Sequence, residues 1–360
     1  MMEQGKRTRE LLLQHCKNYP HSESADIFKF LYQSTFGCEH MVRSCEQASD
    51  YIQKEYDAVQ LSSSAPVEAL DGNFCRVSLS YLSHGLSAST LGRLFYLSAQ
   101  SEHGDLADLK EKISVAAALV SEGRIAISPR VFSEALSEWE AAGYPALHHS
   151  DAFRGEYHPA YRVISNRYIP FLPLLSELDA RLKKGRVRLA IEGGSAAGKT
   201  TLAALLESIY GCTIYGCTVF HMDDFFLRPE QRTPERLAEI GGNVDRERLL
   251  AQVLIPLCQN STITYSRFDC STAKLLPATR VFSTPLTVIE GAYAMHPELE
   301  KYYDLSVFLQ ISPEHQRLRI EKRNSPAFAR RFFEEWIPLE ERYFAGMQVK
   351  DRCDFVIRAE

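Results

Sequence analysis

The sequence predicts two unlike halves: a mainly α-helical domain over residues 1–180, then an α/β domain with a doubly wound parallel sheet over residues 181–360. Three observations carry this expectation. Apolar residues recur at helical spacing through the first half. Short β-rich runs alternate with helical stretches through the second, the pattern of a parallel sheet covered on both faces. A chain of 360 residues is also longer than one hydrophobic core usually serves.

In the first half, Leu11, Leu12, Ile27, Phe28, Phe30, Leu31 and Tyr32 fall at helical intervals. So do Leu91, Leu94, Phe95 and Leu97, and then Leu106, Leu109, Ile113, Ala116 and Leu119. One short alternating segment, 74–81, is the only strand pattern read there. A last helix is expected over 170–184, where Lys183 and Lys184 complement its C-terminal dipole and Gly185 stops it. The boundary is placed between 178 and 186. Beyond it, strands are expected at 187–191, 218–222, 286–289, 305–309 and 354–357.

Composition excludes several classes. The chain is 45% hydrophobic and 24% charged with a net charge of −5, which offers nucleic acid or an acidic membrane no general attraction. No basic stripe interleaved with aromatics appears, so no nucleic-acid partner is expected. The nine cysteines are scattered without a CxxC pair, which argues against a disulfide framework or structural zinc and for a reducing cytoplasm. The polar N-terminus has no signal core, and no run approaches the roughly 18 apolar residues that span a bilayer. The expectation is a cytoplasmic protein without membrane partners, with a homo-oligomer left open.

Gly193, Gly194, Ser195, Ala196, Ala197, Gly198, Lys199 and Thr200 match the Walker A pattern GxxxxGK[ST]. A strand is read before it and a helix, opening through Thr201, after it. This context predicts a P-loop NTPase sheet. Glycines let backbone N–H groups close on phosphate oxygens, and the helix start points its positive end at the same anion. Lys199 is expected on the β/γ-phosphates and the Thr200 hydroxyl on Mg²⁺, with ATP or GTP as the nucleotide. The run ending in Asp223 and Asp224 brings a carboxylate to the ligand crevice at a strand's carboxyl end. Such a group accepts a proton from an attacking hydroxyl or holds Mg²⁺ through water; a helix cap is the plainer alternative. Glu290 ends a second strand as a Walker-B-like acid near the metal.

GGSAAGKTT at 193–201, HMDDFF at 221–226, GGNVD at 241–245, the 265–269 stretch, VIEGAY at 288–293 and the Arg-rich 315–324 segment follow one another in a familiar order and spacing. Over 186–357 they resemble the uridine kinase and phosphoribulokinase-like kinases. The resemblance implies that Asp223 is the general base, that Glu290 helps position Mg²⁺, and that Arg319 and Arg323 are lid arginines over ATP. It also implies that Asp245 lies near the acceptor's hydroxyls, with Phe226, Tyr265 and Arg267 on the acceptor side. Departures are visible: Phe226 stands where uridine kinases usually carry tyrosine, Asp224 where they carry serine, and 265–270 lacks a base-binding histidine. Arg228, Arg232 and Arg236 could meet an acidic acceptor or decorate an exposed loop. The expected activity is transfer of a γ-phosphoryl group to a hydroxyl of a nucleoside-like or other small metabolite. An NTPase switch and a bifunctional enzyme are the alternatives.

The first half holds one dense chemical cluster: His148, His149, Arg154, Tyr157, His158 and Arg162. Its arginines suit phosphate or carboxylate, which makes it a second candidate site for an anion or small molecule. Packing between helices is the alternative, and metal binding by the three histidines lacks a recognised spacing. The helix bearing Tyr32, Gln33, Phe36, Glu39 and His40 is a further candidate. The half could act as a second enzyme, a sensor or a substrate-binding lobe.

Overall fold

The computed structural model describes residues 2–38, 44–59, 66–100, 103–259 and 262–359, so Glu39 and His40 lie outside the described residues. The chain divides into two compact units, Met1–Asp179 and Ala180–Glu360.

The first unit is mostly helical: α1 (Met2–Asn18), α2 (Ser24–Phe36), α3 (Cys45–Ala58), α4 (Ala88–Ala99), α5 (Leu106–Ser121), α6 (Pro129–Ala141) and α7 (Asp151–Tyr157). A further helix, α8 (Leu172–Leu182), runs across the division. Helix α2 starts where Glu23 and Asp26 form a reciprocal capping box and stops at Gly37, whose φ is +62°. It buries Ile27, Phe28, Phe30 and Leu31, but also Asp26 and Gln33. A helix buried on its polar side as well must hand those groups hydrogen-bond partners.

Those partners come partly from a sheet that periodicity did not show. β1 (Val67–Ala69), β2 (Phe74–Ser78) and β3 (Tyr161–Ser165) form an antiparallel sheet in that order. Only β2 was anticipated, and its residues are all buried rather than alternating, Arg76 included. Strand β3 falls inside the polar cluster, pairing Tyr161 with Ser78 and Arg162 with Val77.

The second unit centres on five parallel strands: β4 (Val187–Gly193), β5 (Cys217–His221), β10 (Leu286–Glu290), β11 (Leu305–Gln310) and β12 (Phe355–Arg358). Between β5 and β10 in sequence lie two small antiparallel pairs, β6 (Ile263–Tyr265) with β9 (Thr279–Val281) and β7 (Phe268–Asp269) with β8 (Lys274–Leu275). The large sheet runs β12-β11-β4-β10-β5. Its first strand is thus central, with chain continuing on both sides, so the carboxyl end of β4 is the switch point where α/β sheets bind ligands. Helix α9 (Lys199–Tyr210) follows β4; α10 (Pro313–Arg323) and α11 (Ile337–Gly346) come after β11. One face of the sheet packs Phe220, Met222, Ile289, Tyr293 and Tyr343 into a core. Among the described residues no helix is long and apolar enough to cross a membrane, and all nine cysteines are free.

Candidate active site

The phosphate loop is shaped by how closely β4 and β11 approach. Gly193 pairs with Leu309 at φ +146°, and a Cβ there would lie 2.5 Å from the Leu309 carbonyl oxygen. Gly198 turns the loop at φ +95° and hands directly to α9. Between them Ala196 takes φ +60°, a left-handed backbone that costs a side-chain-bearing residue energy and is held by its neighbours. The Lys199 ammonium folds back over the loop and donates to the Gly194 carbonyl at 2.9 Å.

Two helices brace this loop from outside. Gln316 of α10 donates to the Ser195 carbonyl at 2.8 Å, and Arg319 donates to that of Ala196 at 3.2 Å. From α11, the buried Glu340 carboxylate accepts from the Ser195 N–H at 2.8 Å and from its hydroxyl at 2.7 Å. Burial raises the Glu340 pKa against the opposing pull of Lys199. Behind the loop, Glu192 is fully buried and accepts from the N–H groups of Gly193 at 2.8 Å and Met295 at 3.0 Å, and from the Tyr343 hydroxyl at 3.2 Å. Burial pushes its carboxyl up to about 7.

The parallel register sets Glu290, at the end of β10, level with Ile191 of β4 and His221 of β5. Glu290 accepts from the Thr200 hydroxyl at 3.1 Å and lies 2.6 Å from His221 Nδ1. That hydrogen bond raises the His221 pKa. Asp223 and Asp224 sit in the 3-10 turn Met222–Phe225 that leaves β5. Asp223 opens to solvent at the mouth of the crevice. Partial desolvation, then the Glu290 charge, raises its pKa, while Lys199 pulls the other way. The crevice therefore gathers an anion-binding loop, a lysine, a hydroxyl–carboxylate pair and a second carboxylate.

Other anticipated residues are placed differently. Asp245 is 3% exposed and caps the turn Arg246–Leu249. Its oxygens accept from the Arg248 N–H at 3.1 Å and from Gln231 Nε2 at 3.0 Å, and Arg248 Nε lies 3.3 Å away. Tyr265 is buried against Phe220 and Phe225, and Phe226 is half-buried in a bridge to Val244. Arg267 is exposed and lowers the Asp224 pKa through its charge, against the larger upward push of burial. Arg319 touches the loop, whereas Arg323 stands exposed in the last turn of α10. Arg236 clamps its own loop, donating to the carbonyls of Gly242 at 2.9 Å and Val244 at 2.8 Å and pairing with Glu247 at 2.8 Å. Arg232 donates to the Leu227 carbonyl at 3.1 Å, and Arg228 pairs with Glu230 at 3.2 Å.

Glu192, Gln316 and Glu340 went unread in the sequence. Glu192 had a signal, an acid inside an apolar strand just before the glycines. The other two lie on helices whose pattern does not announce what they touch.

In the first unit, His148, His149, Arg154 and Arg162 line one cavity. Tyr157 instead accepts from the His21 N–H at 3.0 Å, and His158 ends α7 at φ +44°. Among the described residues no group of three or more His, Cys, Asp or Glu is arranged to hold a metal.

The family match lies within the second unit. Residues 189–323 match the Phosphoribulokinase / Uridine kinase family. A comparison with curated proteins gives no match. A solved structure described as a possible uridine kinase from Bacillus stearothermophilus is 23% identical, with 51% of this chain and 98% of that one covered at a TM-score of 0.39. A deoxyadenosine kinase from M. mycoides, solved with dATP, is 17% identical, with 48% and 90% covered at a TM-score of 0.23. Residues 189–323 therefore form a domain of the phosphoribulokinase / uridine kinase family.

Proposed function

We propose that the second unit is an ATP- and Mg²⁺-dependent kinase that phosphorylates a hydroxyl group of a small metabolite. The supporting observation is the convergence, at the carboxyl ends of β4, β5 and β10, of the Lys199 loop, the Thr200–Glu290 pair and Asp223. In this reading the loop N–H groups and Lys199 hold the triphosphate, with Lys199 leaving the Gly194 carbonyl for the β/γ-phosphates. The Thr200 hydroxyl and the Glu290 carboxylate behind it are an all-oxygen donor pair that suits Mg²⁺, which when bound neutralises phosphate charge. Asp223 takes the acceptor's hydroxyl proton as its oxygen bonds to the γ-phosphorus, and the bond to the β-phosphate oxygen breaks, leaving ADP. Arg319 is already at the loop and supplies a cation to the phosphates, while Arg323 reaches them only if α10 moves.

On the acceptor side, Asp224, Arg267 and Phe226 are the groups this reading assigns to recognition. Asp245 acts through Arg248 and Gln231 as a positioning residue rather than by touching the acceptor. The first unit is read as a ligand-binding or regulatory unit fused to the kinase.

ADP release by the full chain with Mg·ATP, across a panel of nucleosides, sugars, polyols and amino alcohols, tests the proposal. One class of alcohol should stimulate turnover, and Asp223→Asn should cut the stimulated rate about 10²- to 10⁴-fold. If no alcohol stimulates and Asp223→Asn leaves hydrolysis unchanged, the base assignment fails and an NTPase switch replaces it.

A further inference from the structure

The cavity of the first unit has a volume of about 790 Å³ and is lined from α2, α3, α4, α7 and β3. Its floor is a fixed polar chain. Buried Asp26 meets His149 Nδ1 at 2.8 Å, and His149 Nε2 lies 2.7 Å from the Tyr161 hydroxyl. Gln33, only 4% exposed, spends its Oε1 on the guanidinium of buried Arg76 at 2.9 Å. The same Oε1 accepts from the Tyr161 hydroxyl at 3.3 Å, which ties Gln33 to the end of the chain. Burial holds the His149 pKa down at about 4, so the imidazole is not poised to titrate near pH 7, while hydrogen bonds from His149 and Ser150 outweigh burial and keep the Asp26 carboxyl below its ordinary value.

The walls carry more positive than negative charge. Lys29, Lys54, Arg154 and Arg162 all line the cavity, and the one lining carboxylate, Glu55, is engaged by Arg162 at 2.7 Å. Lys29 donates to the Leu147 carbonyl at 2.7 Å, and among the described residues no carboxylate pairs with it. Burial, with Arg76 nearby, lowers its pKa to about 8. The lining is thus rich in donors and cations and poor in acceptors. Arg154 is likewise paired, with Asp151, which leaves Lys29 and Lys54 as the lining cations without a carboxylate partner among the described residues; water can accept from them singly but does not offset their charge, and an oxyanion does both.

We propose that this cavity binds a small oxyanion-bearing metabolite, a phosphate ester or a carboxylate, with its anionic end held by Lys29 and Arg162 and its remainder against Gln33, Tyr51 and Phe95. The site is separate in residues and chemistry from the Walker A crevice, and it stands or falls apart from the kinase reading.

Calorimetric titration of the full chain with ribose 5-phosphate, inorganic phosphate and succinate tests it. At least one probe should bind, and whether the phosphates or succinate binds tells the two sources apart. Lys29→Met should weaken that binding about tenfold or more, the loss of one charge-assisted contact, whereas Lys199→Ala should leave it unchanged. Lys54→Gln, at an exposed rim position, should weaken it severalfold and serves if Lys29→Met does not fold. No binding of any probe at about 10 mM overturns the proposal. So does binding that is lost in Lys199→Ala but kept in Lys29→Met, which would assign it to the Walker A loop.

Discussion

Two glycines of the phosphate loop serve different physical needs. At Gly193 both the +146° φ and the Leu309 carbonyl 2.5 Å from a built Cβ exclude a side chain. At Gly198 only the +95° φ does, because nothing lies within 4 Å of the added atom. Gly198→Ala should therefore cost about 1–2 kcal/mol of stability, and Gly193→Ala distinctly more, since β4 or β11 must also shift. Chemical denaturation of the two variants checks this order, and equal losses would contradict it. Asp245 shows the limit of motif reasoning at this scale. The resemblance implies a place near the acceptor's hydroxyls, and the fold engages its carboxylate in capping and with Arg248 and Gln231. A sequence records that an acid follows Gly-Gly-Asn-Val; whether that acid meets a ligand or an arginine depends on chain that returns from elsewhere.

Among the elements, the five strands of the parallel sheet were legible because each reads as a short apolar run, and the three inner strands β11, β4 and β10 are buried on both faces. Strands β1 and β3 were not, since one has three residues and the other carries Tyr161 and Arg162 at its start. The pairs β6–β9 and β7–β8 are too short to leave a period. The candidate site was legible where backbone chemistry demands particular residues, as in the Walker A glycines, and illegible where α10 and α11 close on the loop. The elements of the first unit are tied by a buried ionic chain: His15 of α1 lies 2.6 Å from Glu68 of β1, which accepts from Arg76 of β2 at 3.0 Å. Burial opposes the charge on Glu68, but Arg76 and His15 outweigh it and hold its carboxyl down at about 2, against an ordinary 4.5. The folded-state value is depressed, so this stabilisation is complete above about pH 4.5 and drains away as pH falls toward 2. Its size is about 3 kcal/mol. Glu68→Gln should flatten the acid limb of a stability–pH profile over that window, and an unchanged slope would remove Glu68 from the account. Arg76→Met, which strands a buried carboxylate, should cost about 3–5 kcal/mol in urea titration at pH 7.

At the scale of the whole molecule, two separately built units carry two candidate sites, and the family match bears on one of them. Mg·ATP at a hundredfold excess over its Kd should stabilise the kinase unit by about 2.7 kcal/mol, an increment Lys199→Ala should largely erase in thermal melts. The central claim concerns where the γ-phosphoryl group goes. The most direct measurement is ³¹P NMR of a reaction containing the full chain, Mg·ATP and the alcohol that best stimulates ADP release. The account predicts a phosphate-ester resonance growing in step with ADP in the wild-type protein and absent with Asp223→Asn. If ADP is instead matched by inorganic phosphate while the alcohol stays unmodified, the enzyme is a hydrolase, and Asp223 is not the base of a kinase.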